Sequence, residues 1–489
     1  MKRNILRRAA ACLCLCALLC GGLTVPAKAV GFTDVTSGHW AAEAISQCVS
    51  QGWFQGKSAN TFGVGQPMTR AAFAVVLSRF FGWQDQGAHY QVFSDVPQGA
   101  WYEPALRACY EHRAVTRQTD TFRPADAITR EELAVMLLRA MGYGSMTGLF
   151  TEAALPFRDV TTNRGYIAMA YEMGLVNGMS QNLFVPGRAA TREQAAVVLS
   201  RLYGKLHPAS EETMAILRTD EAMPDLSGCQ TVILMAGSLT GGQKPQVSVN
   251  PGKTQDQART EAQASGKTVL LGISGQASVL KNGTAAVQDL AQAVADGGYD
   301  GLYLNISQQA WTDGPLLTQL AQALRAAMPE KKLYVAADAP VSGQTAPDYT
   351  ALGQAADKLV LRVAAYTDTA AEVPVYAMEP LEHICYALGV LTDQVPAGKL
   401  SLLLTAAGQA KKSGGKFTAA DAKILETLTG QGTAYYSDRY ACAYVETKDT
   451  VAWYLDGRAL TARRQLLNCF GVNSLCLSTL NGTQKPEGR

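Results

Sequence analysis

A threonine–arginine pair followed by one fixed apolar spacing occurs three times in this 489-residue sequence, at Thr69-Arg70, Thr129-Arg130 and Thr191-Arg192. Apolar side chains follow each threonine at four, seven, eight and eleven residues; in the first copy they are Phe73, Val76, Leu77 and Phe80. This spacing puts them on one face of a helix. Because a unit of this size cannot bury that face alone, the copies are predicted to pack against one another.

Each arginine is predicted to be the first residue of its helix. In the second and third copies Glu132 and Gln194 stand three residues after the threonine, which is the spacing of a capping box with threonine as the N-cap. The first turn of a helix has unpaired backbone N–H groups and a partial positive charge. An arginine beside those groups favours the binding of an anion.

The repeat extends upstream of the Thr-Arg helix. Each copy begins with a Phe-x-Asp-Val turn, which contains Asp34, Asp95 or Asp159. A first helix, predicted over Ala41 to Gln51 in the first copy, and a glycine-rich loop follow. We predict repeats over residues 30–84, 90–145 and 154–206.

These residues resemble the S-layer homology domain family. The resemblance is carried by Gly38-His39-Trp40-Ala41, Gly52-Trp53-Phe54-Gln55-Gly56 and Met68-Thr69-Arg70-Ala71 in the first copy. It implies an all-α cluster of three units with pseudo-threefold symmetry and binding grooves between the units. It also implies non-covalent binding to secondary cell-wall polysaccharide, often through a pyruvylated sugar, whose carboxylate suits an arginine at a helix N-terminus.

The resemblance assigns ligand positions to each copy: Asp34, Trp40, Gly56 and Arg70; then Asp95, Trp101 and Arg130; then Asp159, Gly178 and Arg192. The second copy departs at Arg113 and Arg117, which replace glycines. In the third copy Thr162 stands at the tryptophan position, with Tyr166 as a substitute. The groove that contains Arg70 is the strongest candidate.

A purely structural interpretation stands beside this one. Each aspartate would be a turn or N-cap residue, each tryptophan a core anchor and each arginine a solvated helix start. The recurrence of arginine, rather than lysine, at the same helical position favours a binding role for the arginines.

The N-terminus has the pattern of a secretory signal peptide over residues 1–29. Basic residues precede an apolar run, and Ala27-Lys28-Ala29 has the form of a cleavage site. An uncleaved anchor, or a lipoprotein using Cys16 or Cys20, is the alternative. No other stretch is long and apolar enough to span a bilayer.

Removal of this segment changes the charge and the cysteine count. The mature chain has 38 basic and 41 acidic residues, a net charge of −3 that does not indicate a nucleic-acid partner. Seven cysteines remain without metal-ligand spacing and are predicted to be buried thiols. No metal or cofactor motif is present.

The chain changes character after the repeats. Residues 207–228 are predicted to be a linker with a short acidic helix around Glu211 to Arg218. Beyond them, β-branched apolar runs alternate with helical patterns over residues 229–489, which predicts a parallel α/β domain, with a TIM-type barrel as the leading candidate. The predicted fold class is therefore multidomain, all-α followed by α/β.

The stretch from Gly298 to Ser307 resembles the fourth-strand signature of glycoside hydrolase family 18. Pro396-Ala397-Gly398-Lys399-Leu400, Trp453-Tyr454-Leu455-Asp456 and Gly471-Val472-Asn473-Ser474 add to the resemblance, which points to the spore-cortex and cell-wall branch. In that register the first barrel strand is either missing from residues 208–228 or cannot be recognised there. The run at Val451 falls in the inserted α+β element of the family.

The departures from this signature decide the expected activity. The family's general acid is replaced by Ser307, the acid that orients the substrate by Asn305 and a third acid by Tyr303, while Asp300 and Tyr366 are retained. Loss of the general acid alone should cost on the order of two to four powers of ten in rate. A displaced acid among the carboxylates near strand ends would be needed for hydrolysis: Asp338, Asp368, Glu379 or Asp456.

The sequence thus predicts an exported cell-surface protein, located in the wall or S-layer of a Gram-positive-type envelope, with a non-catalytic barrel that binds glycan or a partner. One alternative is a diverged hydrolase acting on peptidoglycan or a chitin-like N-acetylglucosamine polymer. Another is a barrel that serves only as a spacer or assembly surface.

Overall fold

The computed structural model describes residues 31–85, 91–218, 225–307, 313–341, 348–405 and 407–478. The predicted signal peptide, residues 1–29, lies outside these ranges. The described residues form two compact units, a helical unit (within residues 31–142 and 185–201) and a barrel unit (within residues 143–184 and 202–478). The helices, in chain order, are α1 Ala42–Ser50, α2 Arg70–Phe81, α3 Glu103–Glu111, α4 Arg130–Ala140, α5 Arg164–Glu172, α6 Arg192–Leu206, α7 Lys253–Ala264, α8 Val287–Asp296, α9 Gly314–Ala327, α10 Tyr349–Ala355, α11 Leu381–Leu391, α12 Ala422–Gln431 and α13 Gly457–Cys469.

A ring of backbone hydrogen bonds joins the three repeats in the helical unit. The N–H of Met68 donates to the carbonyl of Ala190 (2.9 Å), that of Ala190 to Ile128 (2.8 Å), and that of Ile128 to Met68 (2.8 Å). Each bond links the residue before a Thr-Arg pair to its counterpart in another repeat. This cyclic pattern confirms the predicted pseudo-threefold arrangement.

The predicted caps begin the Thr-Arg helices, with one difference. The Thr69 hydroxyl accepts from the Ala72 N–H, and Thr129 forms a complete capping box with Glu132. In the third repeat Gln194 accepts from the Thr191 N–H at 3.3 Å, but the buried Thr191 hydroxyl has no partner among the described residues. The capping box of that copy is therefore only half formed.

The strands lie in the barrel unit. In chain order they are β1 Glu212–Arg218, β2 Thr231–Thr240, β3 Gln246–Val249, β4 Thr268–Gly275, β5 Gly301–Ile306, β6 Lys332–Asp338, β7 Lys358–Arg362, β8 Tyr366–Asp368, β9 Val375–Ala377, β10 Leu400–Leu404, β11 Gly408–Lys412, β12 Phe417–Ala420, β13 Thr433–Ser437, β14 Cys442–Glu446, β15 Thr450–Tyr454 and β16 Ser474–Leu477. Eight of them form a closed parallel barrel in the order β1-β2-β4-β5-β6-β7-β10-β16, with β3 antiparallel along β2.

The first barrel strand is present, which corrects two sequence-based predictions. The segment Glu211 to Arg218 is not helical, because Glu212–Arg218 forms β1 and pairs with both β2 and β16. The linker predicted over residues 207–228 therefore contains part of the barrel. The acidic Glu212 favoured an exposed helix in the prediction. In the structure its carboxylate is half-buried, pairs with Lys358 and accepts a hydrogen bond from the Ser474 hydroxyl.

Inward-pointing apolar side chains fill the barrel. The buried cluster contains Met214, Ile216, Ile233, Leu270, Tyr303, Tyr334, Ala336, Val360 and Cys476. The interior is therefore a packed core, and any binding site must lie at the rim, where the loops after the strands meet.

A second, antiparallel sheet is inserted between β10 and β16. Its strand order is β12-β11-β15-β14-β13, and a separate hairpin pairs β8 with β9. The prediction that Val451 belongs to an inserted element is confirmed by its position in β15. All seven cysteines of residues 31–478 are free and buried, as predicted.

No single helix of the described residues is long and apolar enough to cross a membrane. One bent pair, α4 with the 3-10 helix Gly144–Phe150, passes by length and composition when the two are taken together.

Candidate functional site

Arg70 contacts the second repeat. Its Nε donates to the carbonyl of Phe122 at 2.8 Å, its guanidinium lies 4.7 Å from the centre of the Phe122 ring, and its Nη1 is 2.6 Å from Oε1 of Glu132. Burial lowers the pKa of Arg70, and the nearby Glu132 carboxylate opposes that shift. The arginine of the first repeat thus belongs to a groove with the second.

Arg192 makes the equivalent contacts with the first repeat. Its Nε donates to the carbonyl of Phe62 at 2.9 Å and its Nη2 to that of Gln55 at 2.7 Å, and its guanidinium lies 4.9 Å from the Phe62 ring centre. Only 9 % of Arg192 is exposed. The ligand positions predicted for one copy therefore do not form one groove, because each of these two arginines lies against the loop of the following repeat.

Arg130 is the first residue of α4, at the position held by Arg70 and Arg192 in their helices. Its N–H donates to the carbonyl of Arg188 at 2.9 Å, as those of Arg70 and Arg192 donate to Asp126 and Gln66. The predicted arginine at each helix start is therefore present in all three repeats.

The three aspartates hold the loops that line these grooves. Asp34 accepts from the N–H groups of Phe62, Gly63 and Val64 at 2.7 to 3.0 Å. Asp95 and Asp159 accept from the N–H of Phe122 and of Phe184. Burial raises the pKa of Asp34, but the backbone hydrogen bonds outweigh it and the pKa is lowered overall. This geometry supports the structural interpretation of the aspartates.

The tryptophans of the first two repeats point into solvent. Trp40 is 63 % exposed and Trp101 is 69 % exposed, so neither is a core anchor. Trp53, by contrast, is buried against Phe80 with ring centroids 4.6 Å apart. In the third repeat the predicted positions hold an exposed Thr162 and a half-buried Tyr166. Exposed indole faces are therefore available in two repeats.

Gly56 and Gly178 close their loops where no side chain fits. A Cβ on Gly56 would lie 2.5 Å from the Ser58 carbonyl oxygen, and one on Gly178 would lie 2.4 Å from that of Ser180. The second repeat has Arg117 here, in a loop one residue shorter. Its Arg113 nevertheless adopts a φ of 58°, in the left-handed region used by Gly52 at 76°.

At the barrel rim the degenerate signature forms a hydrogen-bonded network around Arg362, at the end of β7. Its Nη1 donates to Oδ1 of Asn305 at 2.7 Å, and its Nε to Oδ1 of Asp338 at 2.7 Å. The Ser307 hydroxyl lies 3.3 Å from Oε1 of Gln276. Ser307 and Asn305 are thus at the carboxyl ends of the strands, as predicted.

The other signature residues are structural. The Tyr303 side chain lies in the barrel core, and its hydroxyl has no hydrogen-bond partner among the described residues. Burial raises the pKa of Tyr303, so it stays neutral. Asp300 lies at the opposite end of β5, where its carboxylate accepts from the N–H of Val269 at 2.8 Å.

A groove of about 450 Å³ lies beside Ser307 and Asn305 at the ends of β2, β4 and β5. The residues that line it are Ser238, Leu239, Thr240, Gly241, Ser274, Gly275, Gln276, Ser278, Val279, Asn305 and Ser307. Its polar groups are hydroxyls, amides and backbone groups, and none of these lining residues is a carboxylate. Such a lining suits a neutral ligand with many hydroxyl or amide groups.

The four carboxylates considered as displaced acids are all engaged or enclosed. Asp338 pairs with Arg362, Asp368 accepts from the N–H groups of Ala370 and Ala371, and Asp456 caps α13. Glu379 is buried, and burial raises its pKa to about 7 although the neighbouring Arg463 opposes the shift. Among the residues that the structure describes, none of the four lines the groove beside Ser307.

Tyr366 begins a series of aromatic contacts that leads onto the inserted sheet. Its ring stacks on Tyr440 at 5.5 Å, Tyr440 meets Trp453 at 5.8 Å, and Trp453 stacks on Tyr444 at 4.6 Å. Sequence reasoning did not identify Tyr440, Arg362 or Glu132 as site residues. An arginine at the end of an otherwise apolar strand, in Leu359-Val360-Leu361-Arg362, was the available signal for one of them.

Comparisons with known proteins agree with the repeat pattern. The S-layer homology domain matches residues 31–74, 92–134 and 156–196. An exoglucanase, XynX, of Acetivibrio thermocellus is 30% identical over 184 residues, which cover 36% of this chain and 17% of that protein. The cellulosome-anchoring protein of the same species is 30% identical over 140 residues, 28% of this chain and 30% of that protein. The surface-layer 125 kDa protein of Lysinibacillus sphaericus is 27% identical over 212 residues, 41% and 17% of the two chains.

Solved structures similar to this chain include two bacterial enzymes. A chitinase from Chromobacterium violaceum has a TM-score of 0.49 and 17% identity, over 56% of this chain and 96% of that one. The spore cortex-lytic enzyme SleL of Bacillus cereus has a TM-score of 0.45 and 14% identity, over 56% and 71% of the two chains.

The chain spans less than a third of the length of the sequence relatives named above. Its matched segments carry the caps, the ring of backbone bonds and the exposed tryptophans described here. The predicted location, a secreted protein associated with the cell wall, is confirmed by these matches. Residues 31–74, 92–134 and 156–196 are therefore three S-layer homology domains, and a parallel β/α barrel follows them in the same chain.

Proposed function

We propose that the S-layer homology domains attach this protein to secondary cell-wall polysaccharide, while the barrel binds a glycan without hydrolysing it. The observation that carries the first half is the first repeat itself. Its loop holds the guanidinium of Arg192, and the same repeat presents Trp40 to solvent. A charged group and an open aromatic face are the two elements that an acidic polysaccharide requires.

The chemistry of the two groups defines the ligand. A partly buried guanidinium binds a carboxylate through charge-assisted hydrogen bonds, and the adjacent helix N-terminus adds to the attraction. An exposed indole presents a flat apolar face on which the C–H face of a sugar ring packs. We therefore infer a polysaccharide that carries carboxylates, for which a pyruvylated sugar is a suitable unit.

The residues at the barrel rim support binding rather than hydrolysis. Asn305 and Ser307 stand where the related signature has acids, and the groove beside them has no carboxylate in its lining. Glycoside hydrolysis needs a proton donor at the glycosidic oxygen, and a serine hydroxyl cannot supply it at neutral pH. A glycan whose sugars are rich in hydroxyl and N-acetyl groups, such as the sugar backbone of peptidoglycan or an N-acetylglucosamine polymer, fits a lining of hydroxyls and amides.

Attachment is tested by cosedimentation of the mature protein with purified cell walls. We expect the protein to sediment with intact walls and to stay in solution after the secondary polysaccharide has been extracted. Arg192→Met should reduce sedimentation, whereas Arg79→Met, at an exposed position in the last turn of α2, is the matched control. Equal sedimentation with extracted walls would overturn the proposal for this half of the protein.

The barrel is tested with purified peptidoglycan and N-acetylglucosamine oligomers. We expect binding without release of reducing ends. Turnover by the native protein would instead identify it as a diverged hydrolase. Failure to bind any of these glycans, together with self-association, would favour a spacer or assembly surface.

A further inference from the structure

We propose that the grooves of the S-layer homology domains are not equivalent, because Glu132 acts as an internal anion that occupies the groove of Arg70. The groove of Arg192 has no such carboxylate and is the open site for an anionic sugar. This inference rests on the wall attachment proposed above. It assigns that attachment to a different groove from the one that the sequence favoured.

The Glu132 carboxylate is held where a ligand carboxylate would bind. Its Oε1 lies 2.6 Å from Nη1 of Arg70 and 2.6 Å from Nη2 of Arg123. Its Oε2 accepts from the N–H of Thr129 at 2.9 Å, at the start of α4. Two guanidinium groups and a free N–H of a helix start are the elements of an anion site, and this side chain satisfies all three.

The repeat supplies a different side chain at this position in each copy. The third residue after the capping threonine is Ala72 in the first repeat, Glu132 in the second and Gln194 in the third. By the pseudo-threefold relation, Arg192 faces the first repeat as Arg70 faces the second, so the side chain opposite Arg192 is the methyl group of Ala72. Over residues 31–85 and 91–218, and in the remaining described ranges, no carboxylate oxygen lies within 4.0 Å of the Arg192 guanidinium.

The two acids whose charges act on the Arg192 guanidinium accept hydrogen bonds from backbone N–H groups instead. Asp34 accepts from three backbone N–H groups of its loop, and Glu193 accepts from the N–H of Gly65 at 3.0 Å. Arg192 itself is fixed by the carbonyls of Phe62 and Gln55, which leaves its Nη1 for a ligand. The groove therefore has an oriented cation whose position does not depend on an internal anion.

The residue that follows the groove phenylalanine also differs between the two grooves. Arg123, which follows Phe122, has Gly63 as its counterpart after Phe62. Arg123 forms an ion pair with Glu132 and holds its carboxylate in position. Gly63 has no side chain and lies close to Arg192, so that a Cβ added to it would lie 3.3 Å from Arg192 Cδ. One groove is thus covered by a side-chain pair and the other is left open.

A ligand carboxylate entering the groove of Arg70 would have to displace Glu132. Because charge-assisted hydrogen bonds to that side chain would be broken as new ones form, we expect affinity there to be on the order of 10- to 100-fold weaker than at Arg192. Of these two grooves, the groove of Arg192 would therefore be filled first.

The sequence offers a reciprocal pair of variants for the test. Glu132→Gln removes the charge yet keeps an acceptor for the Thr129 N–H, as Gln194 does in the third repeat. Ala72→Glu brings a carboxylate to the groove of Arg192 and completes a capping box with Thr69. The probe is methyl 4,6-O-(1-carboxyethylidene)-glucopyranoside, and its methyl ester is the uncharged control. Isothermal titration calorimetry of the mature full-length protein gives the number of sites and the affinity of each.

We expect Ala72→Glu to remove one site of the wild-type protein, or to weaken it at least tenfold, and Glu132→Gln to add one site. Circular dichroism should show both variants folded as the wild type. In either folded variant, the same number of sites with the same affinities as in the wild type would overturn the assignment of Glu132 as an internal anion. Binding of wall polysaccharide by the wild type without binding of the probe would also overturn it. If the wild-type protein does not bind the wall polysaccharide at all, the proposed function itself is wrong.

Discussion

Arg362 and Asn305 are joined across the barrel rim by a hydrogen bond of 2.7 Å, from Nη1 of the arginine to Oδ1 of the amide. The same guanidinium pairs with Asp338 and donates to the carbonyl of Ile306. A cation thus fixes the side chain at the position where the family 18 signature has an acid. The rim is organised around an arginine, and this arrangement has consequences for activity and for stability.

The native barrel should not cleave glycosidic bonds. We expect no release of reducing sugar from N-acetylglucosamine oligomers above buffer, and no difference between the wild type and Tyr366→Phe. The double variant Asn305→Asp, Ser307→Glu should stay inactive while Arg362 is present, because a carboxylate at position 305 would pair with the guanidinium. Native turnover that Tyr366→Phe abolishes would show that an acid outside the signature does the chemistry.

Removal of the rim arginine should destabilise the barrel. Arg362→Met removes the guanidinium that donates to both Asp338 and Asn305, and the cost should be about 1 to 3 kcal/mol in the free energy of unfolding. The Arg362 side chain is 20 % exposed, so solvent replaces only part of the lost interaction. Lys412→Met is the control, since its ion pair with Asp449 is exposed on both sides and should contribute little to stability. Equal losses in urea titrations of the two variants would contradict this.

Glu379 should make the barrel less stable as pH rises from about 4.5 to 7. Burial raises its pKa from 4.5 to about 7, so the folded state binds a proton in this range that the unfolded state has released. The stabilisation is full below 4.5 and is lost towards pH 7, a change of about 3 kcal/mol. Its Oε1 accepts from the Thr405 N–H, and its buried Oε2 has no partner within the described ranges.

Glu379→Gln should remove this pH dependence. The amide resembles the protonated acid, so the variant should unfold like the wild type at pH 4.5 and resist urea better than the wild type at pH 8. In both proteins the guanidinium of the neighbouring Arg463 keeps its hydrogen bonds to backbone carbonyls, those of Met378, Glu379, Ala441 and Ala459. Parallel stability curves for the two proteins across this range would rule out Glu379 as the titrating group.

The strands of the barrel were predictable as a class, because most are short and mainly apolar. β5 and β10, for example, contain Leu302-Tyr303-Leu304 and Leu402-Leu403-Leu404, and such runs indicate strands buried on both faces. β1 was not predicted, because it begins at Glu212, directly after Glu211, and two adjacent acids favoured a helix in the prediction. The role of Glu212 depends on Lys358, 146 residues away, and such a partner cannot be seen from local pattern.

The sequence identified individual groove residues of the repeats, but it did not show which of them share a groove. The motif identified Arg70, Arg192, Trp40 and Asp34 by position within a copy. Which copies share a groove follows from the order in which the three units close into a ring, and that order is set by long-range backbone bonds such as Met68 to Ala190. Sequence spacing carries no information about it, so Arg70 was grouped with Asp34 although its contacts are with the second repeat.

Trp40→Ala should weaken wall binding without weakening the fold. The indole is 63 % exposed, so its removal should change the free energy of unfolding by no more than about 0.5 kcal/mol. Affinity for wall polysaccharide should fall roughly tenfold or more, because the sugar no longer has the indole face to pack against. Trp53→Ala is the contrast, because this buried ring should cost about 3 to 5 kcal/mol in stability. Unchanged binding by folded Trp40→Ala would exclude the indole from the site.

Gly56→Ala should disrupt the first repeat through a clash that the loop cannot avoid. The added Cβ would lie 2.5 Å from the Ser58 carbonyl oxygen, 2.6 Å from Cε1 of Phe32 and 2.9 Å from the Thr61 carbonyl oxygen. Two of these atoms belong to the backbone, so the loop that carries Asp34's partners must shift, at a cost of about 1 to 3 kcal/mol. Gly38→Ala in the same repeat is the matched control, since nothing lies within 4 Å of its added Cβ. Thermal unfolding of the two variants tests this, and we expect a lower melting temperature for Gly56→Ala alone. Arg192 donates to the carbonyl of Gln55, next to the substituted residue. Wall binding by Gly56→Ala should therefore also fall. A Gly56→Ala protein as stable as the control would mean that the loop has room the structure does not show.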